Sequence, residues 1–425
     1  LGMSVNQLSR SNSTPDVSRV SLYTSLAIFL LCAIALIAPS GYSLGALMLF
    51  LGSGVLLVKR PVLGLSRQDV LVMIAMAAFA LVGVLEAWWD GQGMRGADKP
   101  LRFWLAIPAL LLVLAYPPRL AWLWGGIALG ALGAGSWAIW QKFGLDVARA
   151  TGHTHTIQFG NLSMLLGVLC LGALGWAVIQ PRRRMWVAFF IVCALFGVVG
   201  SLFSGSRGGW IGIPFVLLVL FRAYGSLMSK PMVAAMVLAI VVGGVGVYAV
   251  PQIGVQERVH QAVEQVQRYA AGDRSHTSVG ARFEMWRGAT HLIVEKPLFG
   301  WGNYGYNDAM QALGDEGVIS EKASEYGHAH NEFLDSFAKR GLLGLVVLLA
   351  VYLIPMRFFI EQLGARDLSL RATATCGTLL SVTYIDFGLT QSFLAHNSGV
   401  MMYAFLLAVF WGVYSRQRKE KSQVL

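Results

Sequence analysis

Three short stretches of the 425-residue chain combine residue types suited to chemistry on an anionic substrate. In Ser204-Gly205-Ser206-Arg207-Gly208-Gly209-Trp210 one arginine sits among glycines and serines. Small neighbours let a ligand approach the backbone and leave amide donors available, which suits a phosphate. The competing reading is an interfacial arginine that snorkels to water. Ser278-Val279-Gly280-Ala281-Arg282-Phe283-Glu284-Met285-Trp286 puts Arg282 near a helix start, where free amides favour anions. A surface pair with Glu284 is the plain alternative. Gly327-His328-Ala329-His330-Asn331-Glu332-Phe333-Leu334 is the strongest signal. His-x-His can ligate zinc, but no Cys or regularly spaced His/Asp partner follows, which argues against a metal. If this stretch is extended, His328 and His330 share a face; if it is helical, they diverge and only one can face a site.

Weaker candidates surround these. Arg95, Lys99 and Arg102 share one loop and either contact phosphate or sugar or are solvated charges. Trp301 and Tyr304 could stack on sugar rings or anchor the chain at an interface. Glu325 and Glu332 offer paired carboxylates for a retaining mechanism. His153 and His155 line a cavity or belong to a wet loop.

The elements that must position these residues are membrane helices. At 56% hydrophobic and 13% charged, the chain has about half the charge of a soluble domain. The net +11 is scattered between apolar runs, which excludes disordered, collagen-like and nucleic-acid-binding classes. A crossing needs about 20 apolar residues. Twelve stretches qualify, roughly Leu22–Ala38, Ser43–Val58, Val70–Trp89, Phe103–Tyr116, Leu120–Trp140, Phe159–Ile179, Met185–Phe203, Trp210–Phe221, Met232–Val250, Leu342–Met356, Ala372–Leu389 and Gly399–Tyr414. Helices are required, because lipid satisfies no free backbone group and the alternation of a barrel strand is missing. The expected organisation is a cytoplasmic segment 1–21, spans over 22–250, a periplasmic helical loop domain 251–341, spans over 342–414 and a cytoplasmic tail 415–425. Leu1 and Gly2 precede Met3, the expected native start, and the first span reads as a retained helix.

Sidedness follows from basic residues. Lys59, Arg60 and Arg67, Arg182 to Arg184, Arg357, Arg366 and Arg371, and Arg416 to Lys421 fall on the same side as both termini. The histidines fall on the other. All four cysteines lie inside spans, so no disulfide framework is expected. Glu86 and Asp386 are the clear charged residues within spans, both near outer ends. A coupled transporter would hold ionisable groups at the midplane and show paired broken helices; neither is evident. The long loop reads as helical. Val255, Val259, Val263, Val266 and Ala270 recur at helical spacing against polar residues, as for a helix that covers the domain or lies on lipid. Further helices are expected over Ala281–Glu295 and from about Asn331 to Arg340-Gly341.

An arginine in a short outer turn, a second in the long loop and a His-x-His-Asn before the next span together resemble the O-antigen ligases (lipid A core:surface polymer ligases) of the O-antigen ligase/polymerase superfamily. The segment Gly152 to Asn161 also looks like a family segment. The resemblance implies an all-α, GT-C-like membrane glycosyltransferase of lipopolysaccharide biosynthesis in the bacterial inner membrane, with its active site in the periplasm. It implies transfer of polysaccharide from undecaprenyl diphosphate to a sugar hydroxyl of the lipid A core, without nucleotide sugar, metal or other cofactor. Arg207 and Arg282 would hold the diphosphate and His330 would assist the acceptor hydroxyl, with His328, Asn331, Lys99, Arg102 and Asp386 binding substrate. Guanidinium groups bind phosphate oxygens bidentately, and a neutral histidine can accept a hydroxyl proton. O-antigen polymerase and protein O-oligosaccharyltransferase differ only in acceptor; a lipid-linked sugar transporter is the alternative of another class.

Overall fold

A computed structural model describes residues 15–206, 208–250, 254–272 and 277–422. Among them the chain is helical, without strands. The first half holds α1 (Pro15–Ala33), α2 (Gly41–Gly52), α3 (Val55–Lys59), α4 (Arg67–Trp89), α5 (Gly93–Ala115), α6 (Leu120–Ile139), α7 (Thr156–Gly172), α8 (Leu174–Ala177) and α9 (Arg183–Ser204). There follow α10 (Ile213–Tyr224), α11 (Lys230–Ala249), α12 (Val255–Ala270), α13 (Ser278–Glu295), α14 (Asn303–Asp315), α15 (Glu321–Ser324), α16 (Glu332–Ile360), α17 (Leu368–Thr390) and α18 (Asn397–Ser422).

Nine helical segments among the described residues are long and apolar enough to cross a membrane, so the chain is a multi-pass membrane protein. The twelve apolar stretches of the sequence are all helical at least in part, and the remaining three fall short for separate reasons. The first, Leu22–Ala38, stays helical only to Ala33 and then enters turns. α5 opens on Arg95, Asp98, Lys99 and Arg102, so its apolar part is brief. α17 is rich in threonine, yet almost entirely buried. Its hydroxyls bond back one turn, Thr375 to the Arg371 carbonyl at 2.7 Å and Thr378 to that of Ala374 at 2.9 Å. Neighbouring helices rather than lipid cover it, so low hydropathy costs it little.

The bundle closes around α18, which packs against α5, α17 and α2. The apolar window of α18 is 94% buried, whereas that of α11 is 0% buried and stands apart.

The helices α12 to α15 and the first turns of α16 form a unit with its own core of Ala289, Leu292, Tyr306, Met310, Ile319 and Ala338. Its junction with the bundle is a break inside α16 at Gly341 (φ 65, ψ −164). A Cβ there would collide with the Leu298 carbonyl, so only glycine lets the 297–302 strand of chain cross the kink. That crossing is bonded throughout: Leu342 N to Pro297 O at 2.7 Å, Trp301 N to Ala338 O at 3.0 Å and Gly302 N to Lys339 O at 2.8 Å. Two acidic residues of α4 tie the unit to the bundle. Glu86 accepts from Arg340 Nε at 2.6 Å, and Asp90, just past the helix end, accepts from Tyr304 N at 2.8 Å. Breaking the Glu86–Arg340 pair would leave a buried ion without its partner, which is strongly destabilising.

Candidate functional site

The His-x-His segment is neither extended nor helical. Asn331 ends it as the N-cap of α16, its Oδ1 accepting from Phe333 N and Leu334 N, both at 3.1 Å, a favoured cap for the free amides of a first turn. His330, just before the cap, takes a left-handed conformation at φ 48, costly for a residue with a Cβ. The surroundings hold it there. Ala329 N donates to Asp335 Oδ1 at 2.9 Å, Lys339 Nζ donates to the Gly327 carbonyl at 2.8 Å, and Trp286 Nε1 donates to the Ala329 carbonyl at 2.9 Å. Trp286 and Arg282 lie one helical turn apart on α13, so the face of α13 that bears Arg282 also pins the backbone between the two histidines. The α13 N-cap is Thr277, whose hydroxyl accepts from Gly280 N at 3.0 Å.

This geometry turns the two rings against each other, edge to face with centroids 4.2 Å apart, and gives them different cavities. His330 lines a small cavity of about 170 Å³ with Arg282, Lys322 and Tyr326. Arg282 and Ser278 also line a larger one of about 590 Å³, together with Ser206, Gly208, Arg149 and Arg258. His328 lines a third, of about 350 Å³, with Arg95, Lys99, Glu332 and Lys339. The two histidines thus face different cavities, that of His330 sharing Ser278 and Arg282 with the arginine cluster and that of His328 lined by Lys99.

Arg207 lies outside the described residues. Its neighbours Ser206 and Gly208 both face the cavity that Arg282 lines. The glycines of this turn admit groups of the protein itself: the Arg258 guanidinium occupies the space a Cβ on Gly205 would need, at φ 65. Arg149 Nε donates to the Ser204 carbonyl at 2.8 Å. Among the described residues the cavity therefore carries Lys142, Arg149, Arg258 and Arg282 against the carboxylate of Glu257, a lining that favours anions.

Other expected site residues are placed differently. Asn331 is committed to structure, since its Nδ2 donates to the Leu389 carbonyl at 3.2 Å while its oxygen caps α16. Arg102 is held by Asp98 at 2.7 Å, one turn away, and lines none of these three cavities. Asp386 is buried against Gly212, where a Cβ would approach it to 2.7 Å, and is likewise absent from their linings. Glu284 is not reserved for Arg282: it accepts from Tyr269 Oη at 2.7 Å and Ser320 N at 2.9 Å. Of the carboxylate pair, Glu332 lines the Lys99 cavity and accepts from Leu394 N at 2.8 Å, while Glu325 is exposed.

Three residues that sequence reasoning passed over belong here. Tyr326 packs its ring against both histidines, at 6.4 and 6.0 Å. Gln391 Nε2 lies 3.1 Å from His396 Nε2. Both come from the connection between α17 and α18, which carries no motif.

Burial disfavours the charged form of His328, His330 and His396. Burial pushes His330 down to about 3, the charges of His328 and Arg282 adding to it while Gln391 and Asp335 oppose. Burial also lowers His328, and it brings His396 to about 4 with help from His328, His155 and Lys99. The Nδ1 of His330 is buried and has no hydrogen-bond partner among the described residues. A neutral imidazole with an unengaged nitrogen, beside a guanidinium that opens onto a cationic cavity, can take a proton from a hydroxyl while an anion is held next to it.

The segment that brings this arrangement together is recognisable by comparison. Residues 193–349 match the O-antigen ligase family model. The match contains Arg207, Arg282, His328 and His330; Lys99, Asp386 and Gln391 lie outside it. An O-antigen ligase of Escherichia coli strain K12 is 23% identical over 217 residues, covering 50% of this chain and 48% of that ligase. An uncharacterised protein of Haemophilus influenzae is 29% identical over 380 residues, covering 89% of this chain and 95% of the relative. The similarity to the O-antigen ligase family thus rests on the segment where the site residues cluster.

Proposed function

We propose that the protein transfers a glycan from undecaprenyl diphosphate to a hydroxyl of the lipid A core at the periplasmic surface of the inner membrane. One observation carries the reading: Arg282 lines both the cavity of His330 and the cationic cavity that receives the residues on either side of Arg207. Arg282 and Arg207 hold the diphosphate, whose charge grows as it leaves. The acceptor hydroxyl reaches the small cavity that His330 lines with Arg282, Lys322 and Tyr326. Its oxygen forms the new bond to the anomeric carbon as the bond to phosphate breaks, the electron pair leaving on the diphosphate, with inversion. His330 takes the hydroxyl proton.

With its pKa pushed down to about 3, mainly by burial, His330 would be a weak base. Part of that depression comes from Arg282, and a bound diphosphate offsets the Arg282 charge. Donor binding therefore relieves the Arg282 share of the depression, while burial, its largest cause, persists.

Purified protein mixed with undecaprenyl-diphosphate-linked glycan and, in separate reactions, lipid A core, a second lipid-linked repeat unit or an acceptor protein tests the reading. Glycosylated lipid A core is the expected product. Product only on the repeat unit or only on protein would reassign the acceptor, and no glycosidic bond with any of them would return the protein to transport.

A further inference from the structure

The amphipathic helix α12 turns its faces in an unusual sense. Arg258 and Gln261 line the larger cavity, and Gln265 Oε1 accepts from the Ser278 hydroxyl at 3.2 Å and Val279 N at 3.3 Å. Glu264 and Arg268, joined at 2.6 Å, are exposed on another face. The remaining stripe is Val255, Val259, Val263 and Val266, at helical spacing. Val259, Val263 and Val266 are 41%, 51% and 46% exposed. A helix on a soluble core buries such a stripe and turns its polar side outward; here the polar side faces the protein and the valines look away.

What covers them follows from the chain itself. α11 is apolar enough to cross a membrane and has no fully buried residue in its apolar window. α12 begins a few residues beyond its end, and Tyr248 Oη of α11 lies 3.5 Å from His260 Nε2 of α12. The start of α12 is therefore held at the level where α11 leaves the bilayer. We propose that α12 lies in the membrane–water interface, its valine stripe among the lipid headgroups, as a lipid-supported roof over the cationic cavity. Its two glutamates and two arginines balance, so apolar insertion rather than attraction to anionic lipid holds it. The placement needs only the membrane character of α11. The role as a roof over a bound diphosphate rests on the glycosyl-transfer reading, and works through Arg258, whose guanidinium packs on Gly205.

The test uses the full chain in phosphatidylcholine nanodiscs, with an environment-sensitive fluorophore on Val263→Cys and, separately, on Glu264→Cys. The four native cysteines are buried and give no background. The expected result is a blue shift and loss of intensity with headgroup-level nitroxide lipids at 263 and neither at 264, unchanged when half the lipid is phosphatidylglycerol. Val266→Cys repeats the measurement if the first variant fails to fold. Water-like emission at 263 and 266, or equal quenching at 264, overturns the placement and leaves glycosyl transfer standing. The Val259→Ser/Val263→Ser double variant should lose insertion and raise the donor KM; loss of insertion with an unchanged KM overturns the roof.

Discussion

The left-handed backbone at His330 allows the base to be removed in a way that separates chemistry from folding. Loss of a general base typically slows transfer by about 10² to 10⁴, or roughly 2.7 to 5.4 kcal/mol in the barrier. Alanine would remove the imidazole but keep a Cβ at φ 48, a conformation costing ~1–2 kcal/mol that glycine escapes. Glycine in turn gives back ~0.4–1 kcal/mol through the freer unfolded chain. His330→Gly should therefore be at least as stable as His330→Ala, by up to about 1.6 kcal/mol, while both lose transfer to the same extent. The assay is initial-rate transfer of a fluorescent lipid-linked glycan in nanodiscs, read by gel shift, with thermal unfolding of the same samples. Wild-type-like transfer by a folded His330→Gly would remove the histidine from the mechanism. An alanine form clearly more stable than the glycine form would refute the backbone argument.

Three further outcomes are expected. Arg282→Lys keeps the charge but loses the bidentate fork, and forfeiting one charge-assisted bond of about 1.5–3 kcal/mol should lower kcat/KM about 10- to 10²-fold; unchanged steady-state kinetics would contradict the diphosphate role. His330 and His396 titrate lower folded than unfolded. The unfolded chain thus binds more protons as pH falls below about 6.5, and stability present above that pH is lost below it, by up to about 1.4 kcal/mol per pH unit for each histidine. Melting curves from pH 7.5 to 5 should show the loss and a shallower slope in His396→Gln; an identical slope would mean that the buried neutral ring is not its source. Gly341→Ala should destabilise by at least about 1–3 kcal/mol, because a Cβ is both strained and obstructed there; an unaltered melting temperature would show that the kink is not fixed by glycine.

The apolar runs made the spans legible, because a lipid-facing helix has to advertise its hydrophobicity. What escaped were helices and residues whose surroundings are supplied by other helices. α17 hides its threonines by bonding them one turn back, so neither its depth nor the place of Asp386 beneath Gly212 can be read from composition. Arg282 and His330 were legible as types. Their shared cavity depends on Trp286 reaching the Ala329 carbonyl, a contact between segments more than forty residues apart. The choice between extended and helical for His-x-His missed the answer, since a single left-handed residue before an Asn cap leaves no periodic trace. Gln391 and His396 were overlooked because a short connection without a motif gives no reason to look there.

The place of α18 has a consequence for how the protein is made. It follows the other spans among the described residues, yet 94% of its apolar window is buried. Helices already threaded into the bilayer must therefore stay parted, with their inner faces against lipid, until this segment arrives to fill the centre. Biogenesis would thus have a waiting stage, and a nascent chain stalled just before Asn397 should be loosely assembled, readily degraded and without a formed site.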